Sequence, residues 1–226
     1  NPSSARLAGY KVININETND GMIDMNHFDE IIKKYTDQIA CLMITYPSTY
    51  GLYEKNISTI IDNMHSNGSL VYLDGANMNA LMGLDKTARD IGFDVCHLNL
   101  HKTFSIPHGG GGPGMGPICY KQFLEPYLPK FDTQNLTQSI STSPYGSGLI
   151  LNISETYVKN IDKEYLYLHH KKIKHNTSSL INKLKDHYTI LHQDSKYRAH
   201  EFIITTHEFI DANVDCNDIA KRLMDY

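Results

Sequence analysis

The sequence has no long hydrophobic stretch. No run of about 18 apolar residues occurs, which excludes a transmembrane helix. It also lacks a basic excess. Lys and Arg number 21 against 25 Asp and Glu, for a formal net charge of -4, so the electrostatic footprint of a nucleic-acid-binding protein is missing. Cysteine is scarce, and Cys41, Cys96, Cys119 and Cys216 are widely spaced without a Cys-x-x-Cys pair. Such spacing builds no disulfide framework and points to four buried thiols in a reducing compartment. The N-terminal stretch lacks a basic start followed by an apolar core, so no signal peptide is visible. No internal repeat is present. What remains is ordinary globular material: 226 residues, 41% hydrophobic and 20% charged, enough for one large domain or two small ones with a real core. Residue 1 is Asn, and a last helical pattern runs uncapped to Tyr226. Both lead to the expectation of a window on a longer protein, poorly stable and inactive by itself because its sheet would have unpaired edge strands.

The first half alternates between two periodicities. Tyr10–Ile15 reads as a strand. Asp24 can cap a helix with apolar residues Met25, Phe28, Ile31, Ile32 and Tyr35. Ile39–Ile44 is a continuous apolar run, expected of a strand buried on both faces. Ile57, Ile60, Ile61 and Met64 recur at helical spacing, and Gly68 stops that helix. Leu70–Leu73, Phe93–Leu98 and Pro117–Tyr120 read as further strands. This is the pattern of an α/β protein with a mostly parallel sheet and helices on both faces. A looser polar stretch, 131–143, separates a differently patterned second half. There Ile173, Thr177, Leu180, Ile181, Leu184 and Tyr188 form one helical stripe. Tyr188–Leu191 and Phe202–Thr205 read as strands, and Asp215 opens a last helix with Ile219 and Leu223 on one face. The second half reads as a smaller α+β unit.

Ligands of parallel sheets bind beyond the carboxyl ends of the strands. The places to search are therefore Thr45–Gly51, Asp74–Asn79 and Asn99–His108. Glycine totals only 15, yet six lie between Gly109 and Gly116. Gly109, Gly111 and Gly114 make a nominal G-x-G-x-x-G. Pro113 and Pro117 interrupt it, and no helix opens directly on it as a dinucleotide fingerprint requires. The Gly-Lys-Ser/Thr of a Walker loop is absent. The sharper feature is Lys102, just after the strand Phe93–Leu98. Asp74 ends the preceding strand, with the small Ala76 two positions on. Pyridoxal phosphate needs a lysine for its Schiff base and a carboxylate facing its ring nitrogen, and a small residue lets the ring lie flat. Asn99 and Thr103 flank the lysine and can donate hydrogen bonds. His101 can contact phosphate or relay a proton. Thr45, Ser48 and Thr49 lie in a turn at another strand end. His97 and His101 have the spacing of a helical zinc pair, but they sit in a strand-then-loop context without the H-E-x-x-H glutamate, so no metal site is expected. Gly-Ser-Gly at 146–148 lacks the G-x-S-x-G pattern of a nucleophile elbow and reads as a structural turn.

The segments YPSTYG (46–51), VYLDGANMNA (71–80) and VCHLNLHKTFSIPHGGGGPGMGP (95–117) resemble glycine dehydrogenase (decarboxylating), the P-protein of the glycine cleavage system. The resemblance continues through STSPYGSGLIL (141–151) and AHEFII (199–204) to AKRLMDY (220–226). It corresponds to part of the cofactor-bearing C-terminal half, with 131–140 shorter and less similar than the family pattern. It implies a fold-type-I pyridoxal phosphate fold, with 1–140 in the large cofactor-binding domain and 141–226 as linker and start of a small C-terminal domain, both incomplete. It also implies roles. Lys102, Asp74 and His101 would be catalytic. Lys102, Asp74, Ala76, Asn77, Asn99 and Thr103 would bind pyridoxal 5'-phosphate. Thr49, His108, Gly109, Gly110, Gly111 and Gly112 would line the approach of substrate and lipoyl arm. The implied partners are glycine, lipoylated H-protein, the other glycine cleavage proteins and a second copy of the complete protein, with neither nucleic acid nor membrane. The implied place is the cytoplasm in a bacterium or the mitochondrial matrix in a eukaryote. A non-catalytic remnant, or another enzyme of the same cofactor class such as an aminotransferase, is the competing reading.

Overall fold

The computed structural model describes residues 1–84, 87–110, 115–129 and 145–226. After a short helix α1 (Pro2–Leu7), the chain forms α2 (Met25–Lys34), β1 (Cys41–Thr45), α3 (Ile57–Ser66) and β2 (Leu70–Gly75). A short α4 (Ala88–Ile91) leads to β3 (Val95–Leu98), α5 (Leu100–Thr103) and β4 (Ile118–Tyr120). Three longer helices follow: α6 (Gly148–Lys159), α7 (Lys163–Leu184) and α8 (Cys216–Leu223). The four strands form one sheet in the order β1-β2-β3-β4. The first three are parallel, and β4 runs antiparallel to β3. Among the described residues no helix is long and apolar enough to cross a membrane.

The helix signals in the sequence act as their chemistry requires. Asp24 caps α2 by accepting from the Asn26 and His27 N–H groups. Ile57, Ile60, Ile61 and Met64 are all buried on one face of α3. Each such side chain contributes about 1.5–3 kcal/mol when fully buried. Gly68, at φ +75°, ends that segment in the left-handed conformation that favours glycine. Asp162 caps α7, and Asp215 forms a reciprocal box with Asp218 at α8. The core joins these α3 side chains to Phe28, Val71, Leu73, Phe93 and Cys96. Val71 and Leu73 alternate onto the core face of β2, so Tyr72 and Asp74 must point to the other face.

Several expectations give way to the observed packing. Tyr10–Ile15 forms no strand, since no strand among the described residues pairs with it. The nearest pairing is an isolated bridge between Glu17 and Ile23, and Ile15 packs on the core as extended chain. β1 is not buried on both faces. It lies at a sheet edge among the described residues, with Cys41 exposed and the rest half-buried. The strands expected at 188–191 and 202–205 shrink to one bridge, Ile190 with Ile204. On α7 the stripe holds at Thr177, but Leu180 is exposed and Tyr188 lies past the helix end, edge-on to Phe209. Leu223 of α8 is exposed as well. Of the four thiols only Cys96 is buried, while Cys41, Cys119 and Cys216 are exposed, and all are free. The polar stretch 131–143 lies outside the described residues.

One glycine is fixed by both conformation and space. Gly51 has φ +68°, and a Cβ there would collide with the Glu201 carbonyl. Its own carbonyl accepts from the Ala199 N–H at 2.7 Å, so the turn after β1 is docked against the 197–201 segment. Gly51→Ala should destabilise the protein by at least about 1–3 kcal/mol. Thermal unfolding of the full-length protein checks this, and an unchanged transition would mean that the docking is loose.

Candidate active site

Parallel pairing builds the first part of the site. Thr45 of β1 is in register with Asp74 of β2, and Asp74 with His97 of β3. Residues in register on adjacent strands share a face, so three polar side chains line up near the carboxyl ends of three strands. The Asp74 carboxylate is satisfied on both oxygens. Oδ1 accepts from the Ala76 N–H at 3.0 Å and meets His97 Nε2 at 3.1 Å. Oδ2 accepts from Thr45 Oγ1 at 3.2 Å and from the Asn1 side-chain amide at 2.5 Å. Burial pushes the Asp74 carboxyl upward, but hydrogen bonds from His97, Asn1 and the Ala76 N–H outweigh it and hold the group well below the usual carboxylate range. Asp74 is therefore a buried, ionised carboxylate. His97 in turn meets the Tyr72 hydroxyl through Nδ1 at 3.3 Å.

The second part is the turn after β3. Asn99 opens α5, although its side chain makes no capping bond. Leu100 and Thr103 are buried and anchor the turn, and Thr103 Oγ1 accepts from the Asn79 N–H at 3.1 Å. Lys102 projects from that anchored turn, exposed, with no hydrogen-bond or ion-pair partner among the described residues. It borders a cleft of about 320 Å³ whose other walls include Asn79, Ser105, Tyr157, Tyr165 and His170. Among the described residues no carboxylate lines this cleft. His101 packs edge-on to His108, with ring centroids 4.8 Å apart. Burial lowers the His101 pKa, and the His108 and Lys102 charges add to this. Its Nδ1 is buried without a partner.

The expected residues thus fall into two groups. Asp74 and Ala76 belong to the strand-end cluster, and Lys102 and Thr103 border the cleft. Lys102 and Asp74 make no ion pair with each other. Asn77 is buried, and its amide donates to the Pro47 carbonyl at 3.0 Å, across the cis Tyr46–Pro47 turn. Thr49 is exposed in that same turn. Gly109 and Gly110 are exposed at φ +64° and +70°, and a Cβ on either would meet none of the described residues within 4 Å. Positive φ is what calls for glycine there. Gly111 and Gly112 lie outside the described residues. His97, weighed in the sequence only as a metal ligand, is instead the partner of Asp74. The signal for it was its register, two strand ends side by side. The cleft walls from α6 and α7 had no local motif to announce them. Among the described residues no group of three or more His, Cys, Asp or Glu could hold a metal ion.

Comparison with known proteins bears on the fold and on the family. The chain superposes on a SepCysS–SepCysE N-terminal domain complex with a TM-score of 0.71 at 15% identity, covering 96% of this chain and 58% of that one. It superposes on a sphingosine-1-phosphate lyase of Burkholderia pseudomallei with a TM-score of 0.70 at 12% identity, covering 94% of this chain and 51% of that one. At such identities the likeness is one of fold, and the fold is the fold-type-I architecture of pyridoxal phosphate enzymes: a mixed, mostly parallel sheet flanked by helices. The sequence comparisons go further. A family profile described as "Glycine dehydrogenase, C-terminal domain" matches residues 172–226. Proteins named glycine dehydrogenase (decarboxylating) align with 100% of this chain: 46% identical in Rhizobium meliloti, 45% in Flavobacterium johnsoniae and 44% in Homo sapiens. At family level the chain matches glycine dehydrogenase (decarboxylating) over its whole length. It spans 24%, 24% and 23% of those three relatives' own lengths. The human relative is named mitochondrial, as are those of Gallus gallus and Dictyostelium discoideum, while the two bacterial names carry no such word.

Proposed function

We propose that this chain is the cofactor-bearing part of a pyridoxal phosphate-dependent glycine dehydrogenase that decarboxylates glycine and passes the aminomethyl group to the lipoyl group of H-protein. The observation that carries the reading is the alignment of the whole of this chain at 44–46% identity. The residues present fit the cofactor. Lys102 is an unpartnered amine on an anchored turn. Asp74 is an ionised carboxylate whose Oδ2 already accepts an N–H donor, that of Asn1, the kind of bond a protonated ring nitrogen would make. When bound, the cofactor supplies an electron sink for the pair left behind as the carboxyl carbon departs.

The chain's own residues then have distinct tasks. Lys102 would hold the cofactor through its side-chain amine. Asp74, ionised, would stand against the ring nitrogen and favour its protonated form, and the small Ala76 would leave room for a flat ring. Asn99 and Thr103 offer polar groups beside Lys102, and His101 offers an imidazole with a free Nδ1 for phosphate or proton transfer. Asn77 supports the turn that carries Thr49. Thr49, His108 and the loop beginning at Gly109 form the approach for the lipoyl arm. In the overall exchange glycine loses carbon dioxide, its aminomethyl carbon bonds one lipoyl sulfur, and the other sulfur becomes a thiol. The disulfide is the oxidant, and no hydride leaves the enzyme. Residues 1–140 would supply the large cofactor-binding domain, and 141–226 the linker and start of the small one. The same family assignment implies a dimer of the complete protein, working with the other glycine cleavage proteins. The compartment is the mitochondrial matrix in a eukaryotic source or the cytoplasm in a bacterial one.

The test is exchange of the glycine carboxyl with labelled bicarbonate by the full-length protein. Exchange that depends on lipoylated H-protein supports the reading. Amino-group transfer to an oxoacid without H-protein would reassign the chain to an aminotransferase, and no reaction at all would mark a remnant.

A further inference from the structure

We infer that His97 is a positioning residue for Asp74, held in place by Tyr72, so that a Tyr72–His97–Asp74 chain presents one carboxylate oxygen to the cofactor's ring nitrogen. The inference rests on the reading that Asp74 faces that nitrogen. Register makes the chain of contacts possible. Tyr72 and Asp74 are two residues apart on β2 and share a face, and His97 of β3 is paired with Asp74. His97 therefore lies directly beside Asp74 and diagonally from Tyr72. The rings of Tyr72 and His97 are 5.8 Å apart between centroids.

The chemistry of the contacts fixes their direction. An ionised carboxylate has no hydrogen to give, so His97 Nε2 carries the hydrogen of the 3.1 Å contact to Oδ1. His97 Nδ1 then faces the Tyr72 hydroxyl, a group able to donate or accept. Burial, with the nearby charge of Asp74 next, raises the Tyr72 pKa, so its O–H stays protonated and available. His97 and the Ala76 N–H together occupy Oδ1. Oδ2 is the oxygen left to other donors, here the Thr45 hydroxyl at 3.2 Å and the side-chain amide of Asn1. Loss of the His97 donor would leave a buried carboxylate with one hydrogen bond fewer, its Oδ1 held by the Ala76 N–H alone.

Cofactor affinity of the full-length apoprotein, read by absorbance titration, tests this without requiring turnover. His97→Leu removes the donor at similar bulk and should weaken binding about 10- to 100-fold. His97→Gln restores an N–H donor and should recover most of that loss, which a purely structural role would not predict. Tyr72→Phe removes one hydroxyl and should weaken binding about threefold in the wild-type background, with little further effect on His97→Leu. Should His97→Leu fail to fold, the Tyr72→Phe and His97→Gln titrations decide alone. Asp74→Asn separates the two layers of argument. If Asp74→Asn binds cofactor like wild type, the reading of Asp74 itself fails. If Asp74→Asn binds poorly while His97→Leu binds normally, or Gln rescues no better than Leu, only the His97 inference fails.

Discussion

Replacing Lys102 by Ala in the full-length protein should abolish H-protein-dependent glycine–bicarbonate exchange, by on the order of 10⁴-fold or more. The size follows from the role. Under the proposed role, Lys102 would bond the cofactor covalently, and no other lysine lines the cleft that it borders among the described residues. The variant should nonetheless keep its thermal transition within about 0.5 kcal/mol of wild type, as exposed substitutions generally do. Lys102 is exposed, whereas Leu100 and Thr103 are the buried anchors of its turn. Lys102→Arg tests the role against mere charge. Guanidinium keeps the positive charge but is never deprotonated in proteins and cannot take up a carbonyl carbon. Arg should therefore be as inactive as Ala. Substantial exchange by the Arg variant would make Lys102 an electrostatic group rather than a covalent one.

The legibility of this protein in its sequence divides along a physical line. Signals confined to one turn or one strand were readable. Asp24 and Asp215 cap helices through bonds to residues two or three positions away, so local sequence contains both partners. The α3 stripe is likewise local. Strand existence was less local. Tyr10–Ile15 has a strand's composition but no partner among the described residues to complete a ladder, and 188–191 with 202–205 closes one bridge. The cluster around Asp74 was half legible. Its carboxylate stood out at the end of an apolar run, but the His97 contact depends on which residue of β3 lies opposite, and that register is set by the whole sheet. The family resemblance supplied roles that pattern alone does not. It supplied neither the hydrogen bond that commits Asn77 to the Pro47 carbonyl nor the α6 and α7 walls beside Lys102.

A second large effect is expected far from that chemistry, at Asp94. This carboxylate precedes β3 and is only 3% exposed. Oδ1 accepts from Lys121 Nζ at 2.7 Å, and Oδ2 accepts from the Val71 N–H at 2.8 Å and meets His65 Nε2 at 2.8 Å. It thus ties the end of α3, the start of β2 and the residue after β4 to one point. Lys121 also donates to the Gly92 carbonyl at 3.0 Å. Burial raises the Asp94 pKa, but hydrogen bonds from Lys121, the Val71 N–H and His65 more than reverse this and leave the group below its ordinary value. Asp94→Asn keeps the shape, removes the charge and strands Lys121, and should cost about 2–4 kcal/mol at neutral pH. The lower end applies if solvent screens Lys121 and His65, whose side chains are 34% and 35% exposed. The pH dependence has a definite sign. A carboxylate with a depressed folded pKa contributes its full stability above the unfolded value, about 3.9, and loses it as pH falls through the folded value. The stability gap between wild type and Asp94→Asn should therefore be constant from pH 7 to about 5 and shrink below about 4. Thermal unfolding of both proteins across that range measures it. A gap that stays constant into acid would show that the charge of Asp94 contributes nothing and that only its shape matters.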